Sequence, residues 1–135
     1  MPVRLLSSPV LRWPDARAVT ESLRRWVHGA LATHPEAQRV GYFGSYARGD
    51  WGVGSDLDLI VVVERSDEPF ERRAARWDTT PIAVPADLLV YTTDEWERLQ
   101  REGRLSSRIR RELVWIYPDP GVRLDKLTPR VNSPG

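Results

Sequence analysis

The sequence predicts an α/β (α+β) layered chain, and three observations predict it. Apolar residues recur at helical spacing between Asp15 and His34, a nearly continuous β-branched run fills Leu57 to Val63, and a capping-box pattern follows directly on a second strand-like run ending at Tyr91. Helical and strand periodicities thus alternate along one chain, the pattern of helices packed on a sheet.

Taken in order, Val19, Leu23, Trp26, Val27, Ala30 and Leu31 make one face of a helix over 15–34, with Pro14 suited to its start and Pro35 to its stop. A short apolar run, Arg39 to Phe43, reads as a strand ending at Gly44. Residues 44–49 read as a tight turn opening a short helix, followed by a glycine-rich loop from Asp50 to Gly54. Leu57 to Val63 (LDLIVVV) reads as a central strand covered on both faces. The charged segment 66–80 is expected to hold a helical turn around Phe70 to Trp77. A third strand lies in 82–91, with Pro81 and Pro85 confining regular pairing to Ala86–Tyr91. Thr92 with Glu95 starts a helix running to about Arg101. After Gly103, the spacing of Leu105, Ile109 and Leu113 predicts another helix ending near Tyr117. Residues 1–117 are read as a single domain, and 118–135, with four prolines and two glycines, as an extended or mobile tail.

Composition removes several function classes. At 135 residues there is room for one core and no second catalytic domain. The absence of cysteine excludes disulfides, thiolate metal sites and a cysteine nucleophile, and two histidines are too few for a histidine-built zinc site. A net charge of +1 argues against nucleic acid as a direct ligand. No apolar run approaches a membrane span and the start does not read as a secretory signal, so a cytoplasmic protein is expected.

The chemistry concentrates between Gly44 and Leu59. Asp56 and Asp58, two apart on a strand, project from one face. Carboxylates so close repel each other, and the repulsion is relieved by a raised pKa or by a divalent cation; a hard ion such as Mg²⁺ fits the arrangement. Gly44-Ser45, after a strand and before a helix, aims backbone N–H groups at an anion, and the Ser45 hydroxyl adds a donor. Asp87 is an acidic residue inside the apolar run VPADLLVY, costly unless paired or metal-bound. If its strand lies beside the central one, it completes a three-carboxylate site suited to two-metal chemistry. Arg48 has two readings, a phosphate contact or a partner for Asp50 or a helix end. Trp51 has two as well, stacking on a base or packing inward. Arg104, Arg108, Arg110 and Arg111 read as a solvated face that could meet an acceptor, and His28 and His34 read as structural.

The pattern GSxxRG (Gly44 to Gly49), a short loop, SDxDL (Ser55 to Leu59) and a later isolated strand aspartate resembles the polymerase-β-type nucleotidyltransferase superfamily. Within it, residues 38–117 most resemble the minimal nucleotidyltransferases, the group encoded beside HEPN-domain ribonuclease toxins. The resemblance implies a polymerase-β-like fold with a small mixed sheet flanked by helices. It implies ATP as nucleotide donor, two Mg²⁺ ions on Asp56, Asp58 and Asp87, and nucleotide contacts from Gly44, Ser45, Arg48 and Ser55. It further implies AMP transfer to a tyrosine of a HEPN toxin partner, which silences the toxin. A covering antitoxin that needs no catalysis, and a small-molecule nucleotidyltransferase like those acting on aminoglycosides, are the alternatives.

Overall fold

The computed structural model describes residues 13–118. The sequence expectations for the first twelve residues and for the tail beyond Pro118 lie outside the described residues.

Helix α1 spans Ala16–Thr33, and Asp15 caps it by accepting from the Ala18 N–H at 2.8 Å. Its buried residues are Val19, Ser22, Leu23, Trp26 and Val27, and Ala30 and Leu31 of the predicted stripe are partly buried. Strand β1 (Ala37–Phe43) runs into Gly44, whose φ of 84° turns the chain into the single-turn helix α2 (Ser45–Arg48). Gly49, in the left-handed region, closes α2. Strand β2 is Leu57–Val63. Helix α3 (Phe70–Arg73) passes into a 3-10 turn at Ala74–Arg76. Strand β3 (Ala86–Thr92) leads to helix α4 (Thr93–Arg101) through the full Thr92–Glu95 capping box. Helix α5 (Ser107–Glu112) is capped by Ser106 and followed by strand β4 (Val114–Tyr117).

The four strands form one mixed sheet in the order β3-β2-β1-β4. β1 is antiparallel to β2 and β4, whereas β2 and β3 are parallel. β2 is therefore interior, as its apolar run predicts, and six of its seven residues are buried. One face, carrying Val40, Leu57, Leu59, Val61, Val63 and Val90, packs on α1 and on Trp77, Ile82 and Val84. The other face, carrying Phe43, Ile60 and Val62, packs on Trp96 of α4 and on Leu105. Burial of each large apolar side chain on these faces contributes about 1.5–3 kcal/mol.

One expected element changes type. The helix expected to run to about Tyr117 stops at Glu112, Leu113 turns to extended geometry (φ −64°, ψ 126°), and the next four residues form β4. Val114-Trp115-Ile116-Tyr117 is β-branched and aromatic, and β1 offers it an open edge, with Gly41 opposite Trp115 and Tyr42 opposite Val114. Gly41 makes the pairing possible, because a Cβ there would lie 2.9 Å from both the Trp115 ring and the Val114 carbonyl. Helical spacing of three apolar residues is outweighed by a strand partner that lies far away in sequence.

Candidate active site

The end of β1 and the starts of β2 and β3 meet on one side of the sheet, and the motif residues gather there. Asp58 lies opposite Phe43 on β1 and in register with Asp87 on β3. In parallel strands residues in register share a face, so both carboxylates emerge on the side packed by α4 and α5. Asp56 lies just before β2 and is exposed, and Asp87 is exposed. The Asp58 side chain is half-buried.

Gly44 sits against this cluster. A Cβ at this position would overlap Asp58 Oδ2 and lie 3.2 Å from Cγ, so the glycine is what lets backbone and carboxylate approach. The first N–H groups of α2, at Ser45 and Tyr46, have no acceptor within the helix. The Gly44 N–H instead donates to Glu112 Oε1 at 3.1 Å.

Burial, and after it the charges of Asp87 and, more weakly, Asp56, push the Asp58 carboxyl above the ordinary aspartate range; Arg108 and Arg48 oppose the shift. An ionised Asp58 is thus held in a place that favours a cation. Among the described residues, no three histidine or acidic side chains converge into a ready-made metal cage. The donor set nonetheless fits Mg²⁺, which is held by one or two carboxylates together with substrate phosphate oxygens rather than by an all-protein cage.

The remaining sequence candidates are placed as follows. Arg48 is not free: Nε donates to Asp50 at 3.0 Å and Nη1 to Glu112 at 3.0 and 3.2 Å. Ser55 closes its own loop, its Oγ accepting from the Gly52 N–H at 2.8 Å and its carbonyl accepting from the Tyr46 hydroxyl. Trp51 packs inward, stacked on Tyr46 with ring centroids 5.5 Å apart. Of the four arginines on the 104–111 segment, Arg108 faces the site, 5.9 Å over the Phe43 ring and 3.3 Å from Glu112. Glu112 was not among the sequence candidates. Its partners Arg48 and Gly44 are 64 and 68 residues away, and the only local trace is the i,i+4 pair with Arg108.

A nucleotidyltransferase-domain family profile matches residues 25–120. A search of curated proteins finds no match. Among solved structures, the fold is similar to that of a candidate nucleotidyltransferase from Sulfolobus solfataricus, with TM-score 0.57, 18% identity, and coverage of 84% of this chain and 91% of that one. A toxin-antitoxin structure with AMP-PNP is similar at TM-score 0.45 and 17% identity, covering 81% of this chain and 82% of that one.

Proposed function

This chain belongs to the nucleotidyltransferase-domain family, and from that premise we propose that it transfers AMP from ATP to an acceptor hydroxyl, a tyrosine of a partner HEPN ribonuclease toxin. The observation that carries the reading is the placement of Asp58 and Asp87 in register on neighbouring parallel strands, against a glycine turn. Residues 1–117 are the catalytic unit in this reading. The partner rests on the wording GSYARGD and SDLDL, through which the chain resembles the minimal nucleotidyltransferases.

Asp56, Asp58 and Asp87 supply the oxygen donors for two Mg²⁺ ions, which when bound neutralise charge on the triphosphate and on the leaving pyrophosphate. The Ser45 hydroxyl and the N–H groups opening α2 orient the phosphates, and Gly44 keeps the backbone close enough to do so. Ser55 holds the loop that carries Asp56. The acceptor oxygen forms a bond to the α-phosphorus as the α–β bridging bond breaks. The electron pair of that bond leaves with pyrophosphate, and the hydroxyl proton passes to Asp87, which is exposed.

The carboxylates stand on an open face, which also suits a protein that silences its partner by covering it. The test is transfer of label from α-labelled ATP with Mg²⁺, wild type against Asp56→Ala/Asp58→Ala, with and without the HEPN partner. Label on the partner that disappears in the double variant supports the reading. A tight complex without label, and Asp58→Asn neutralising the partner as well as wild type, would replace it with the covering antitoxin.

A further inference from the structure

Glu112 ends α5, yet its carboxylate sits beside a turn on the far side of the sequence. Oε1 accepts from the Gly44 N–H at 3.1 Å and from Arg48 Nη1 at 3.0 Å, while Oε2 accepts from the same Arg48 nitrogen at 3.2 Å. Arg108 Nε approaches Oε1 at 3.3 Å from the preceding helical turn. The side chain is 12% exposed, so the carboxylate is set into the surface rather than free in solvent.

Gly44 combines φ 84° with ψ −154°, a conformation open to glycine; its carbonyl is held by the Ala47 and Arg48 N–H groups, both at 2.9 Å, and its N–H is held by Glu112. The Gly44 N–H belongs to the peptide before that residue and the Ser45 N–H to the peptide after it, so anchoring the first helps to orient the second through Gly44. The acceptor on its N–H fixes one end, and the Arg48 guanidinium, gripped by Glu112 and Asp50, fixes the other end of the four-residue helix. Hydrogen bonds to a charged partner are directional and stronger than neutral ones.

We propose that Glu112 is the positioning residue of the Gly44–Ser45 turn: through the Gly44 N–H and the Arg48 guanidinium it holds the start of α2 facing Asp58, without itself touching nucleotide. This rests on reading that turn as the triphosphate site. Arg48 becomes a strut between Glu112 and Asp50, and the phosphate donors are the Ser45 hydroxyl and the N–H groups beside it.

The experiment compares the full chain with Glu112→Ala and Glu112→Gln by hydrogen exchange at the Gly44 amide, MgATP titration calorimetry and thermal melting. Glu112→Ala should speed Gly44 exchange and weaken MgATP by about tenfold. Its melting temperature should fall by a few degrees from the lost bonds. Glu112→Gln, whose amide oxygen still accepts from Gly44, should restore the slow exchange and recover part of the affinity. Unchanged Gly44 exchange in Glu112→Ala overturns the proposal. So does MgATP binding that stays the same or tightens, which would make the carboxylate a competitor of phosphate. Should Glu112→Ala not fold, Glu112→Gln decides: intact Gly44 protection with weakened MgATP supports positioning, and wild-type affinity overturns it. Wild type that binds no MgATP would end the nucleotide reading alone, because Gly44 exchange still decides the positioning.

Discussion

Replacing Gly44 with alanine tests the close approach on which the site depends, and two separable costs can be worked out. The first is backbone strain: φ 84° with ψ −154° is accessible at low cost only to glycine, and a side chain there adds about 1–3 kcal/mol. For a domain of about a hundred residues that lowers the melting temperature by roughly 4–8 °C per kcal/mol. The second is displacement. The new methyl would overlap Asp58 Oδ2, with Cγ only 3.2 Å off, so the carboxylate has to move by roughly 1 Å, a misplacement that costs about 100-fold in rate. Gly49→Ala separates the two costs. Gly49 also has positive φ, 89°, but nothing lies within 4 Å of a Cβ there, so it should lose about 1–2 kcal/mol of stability and keep its rate. The assay is the initial rate of labelled AMP transfer at saturating MgATP, below both melting transitions, alongside thermal melts. Wild-type rate in Gly44→Ala, or an equal loss of rate in Gly49→Ala, would refute the argument from close approach.

Three further outcomes are expected. Arg73 is 7% exposed and donates to both Glu95 oxygens at 2.6 and 3.0 Å, to the Val90 carbonyl at 3.1 Å and to the Glu68 carbonyl at 2.9 Å. Arg73→Met strands those acceptors and should cost about 2–4 kcal/mol in urea denaturation, with a loss below about 0.5 kcal/mol counting against the reasoning. Glu95 is held below the ordinary glutamate range, chiefly by the Arg73 hydrogen bond. The folded chain therefore keeps Glu95 ionised to lower pH than the unfolded chain does. Its contribution is complete above the unfolded value and drains away as pH falls toward the folded one, so Glu95→Gln should be destabilising at pH 7 and progressively less so below about pH 4. A pH-independent difference would contradict this. Asp58 has the opposite sign, because burial and then Asp87 raise its carboxyl. Its ionisation opposes folding as pH rises through and above the ordinary aspartate range. Asp58→Asn should accordingly melt higher than wild type in chelator at pH 7, the gap closing in acid, while millimolar Mg²⁺ should raise the melting temperature of wild type only. Equal response of the two proteins to Mg²⁺ would remove Asp58 from the metal site.

What the sequence discloses follows from how local each cause is. The β2 strand and the start of α4 are legible because their causes lie within seven residues, a β-branched run in one and Thr92 with Glu95 in the other. Asp58 lies on β2 as the run predicts, whereas Asp56 precedes the strand, which begins at Leu57, so period-two alternation does not place it. Asp87 was legible only conditionally, since its use depends on β3 lying beside β2, and the register delivers that by setting it against Asp58. The inward stacking of Trp51 on Tyr46 selects between two readings that the glycine-rich loop left open. Glu112 was illegible, because the groups that define its role are brought to it by the sheet.

The misread element and the missed residue have one cause. A helix continued to Tyr117 would leave Glu112 in mid-helix, with nothing to bring it level with Gly44. The structure breaks the helix at Leu113 and lays Val114–Tyr117 antiparallel along β1, pairing Val114 with Tyr42. Tyr42 is two residues before Gly44, and Glu112 is two residues before Val114. In an antiparallel pair the chains advance in opposite directions, so stepping forward two residues on β1 and back two on the other chain arrives at the same level. The pairing of β4 thus carries the end of α5 to the turn that follows β1. The Cβ-free Gly41, which admits Trp115, is the local feature that permits it. β4 leaves Val114 exposed but buries Ile116 in the core and packs Trp115 and Tyr117 against it, and the same pairing places the Glu112 carboxylate at the turn.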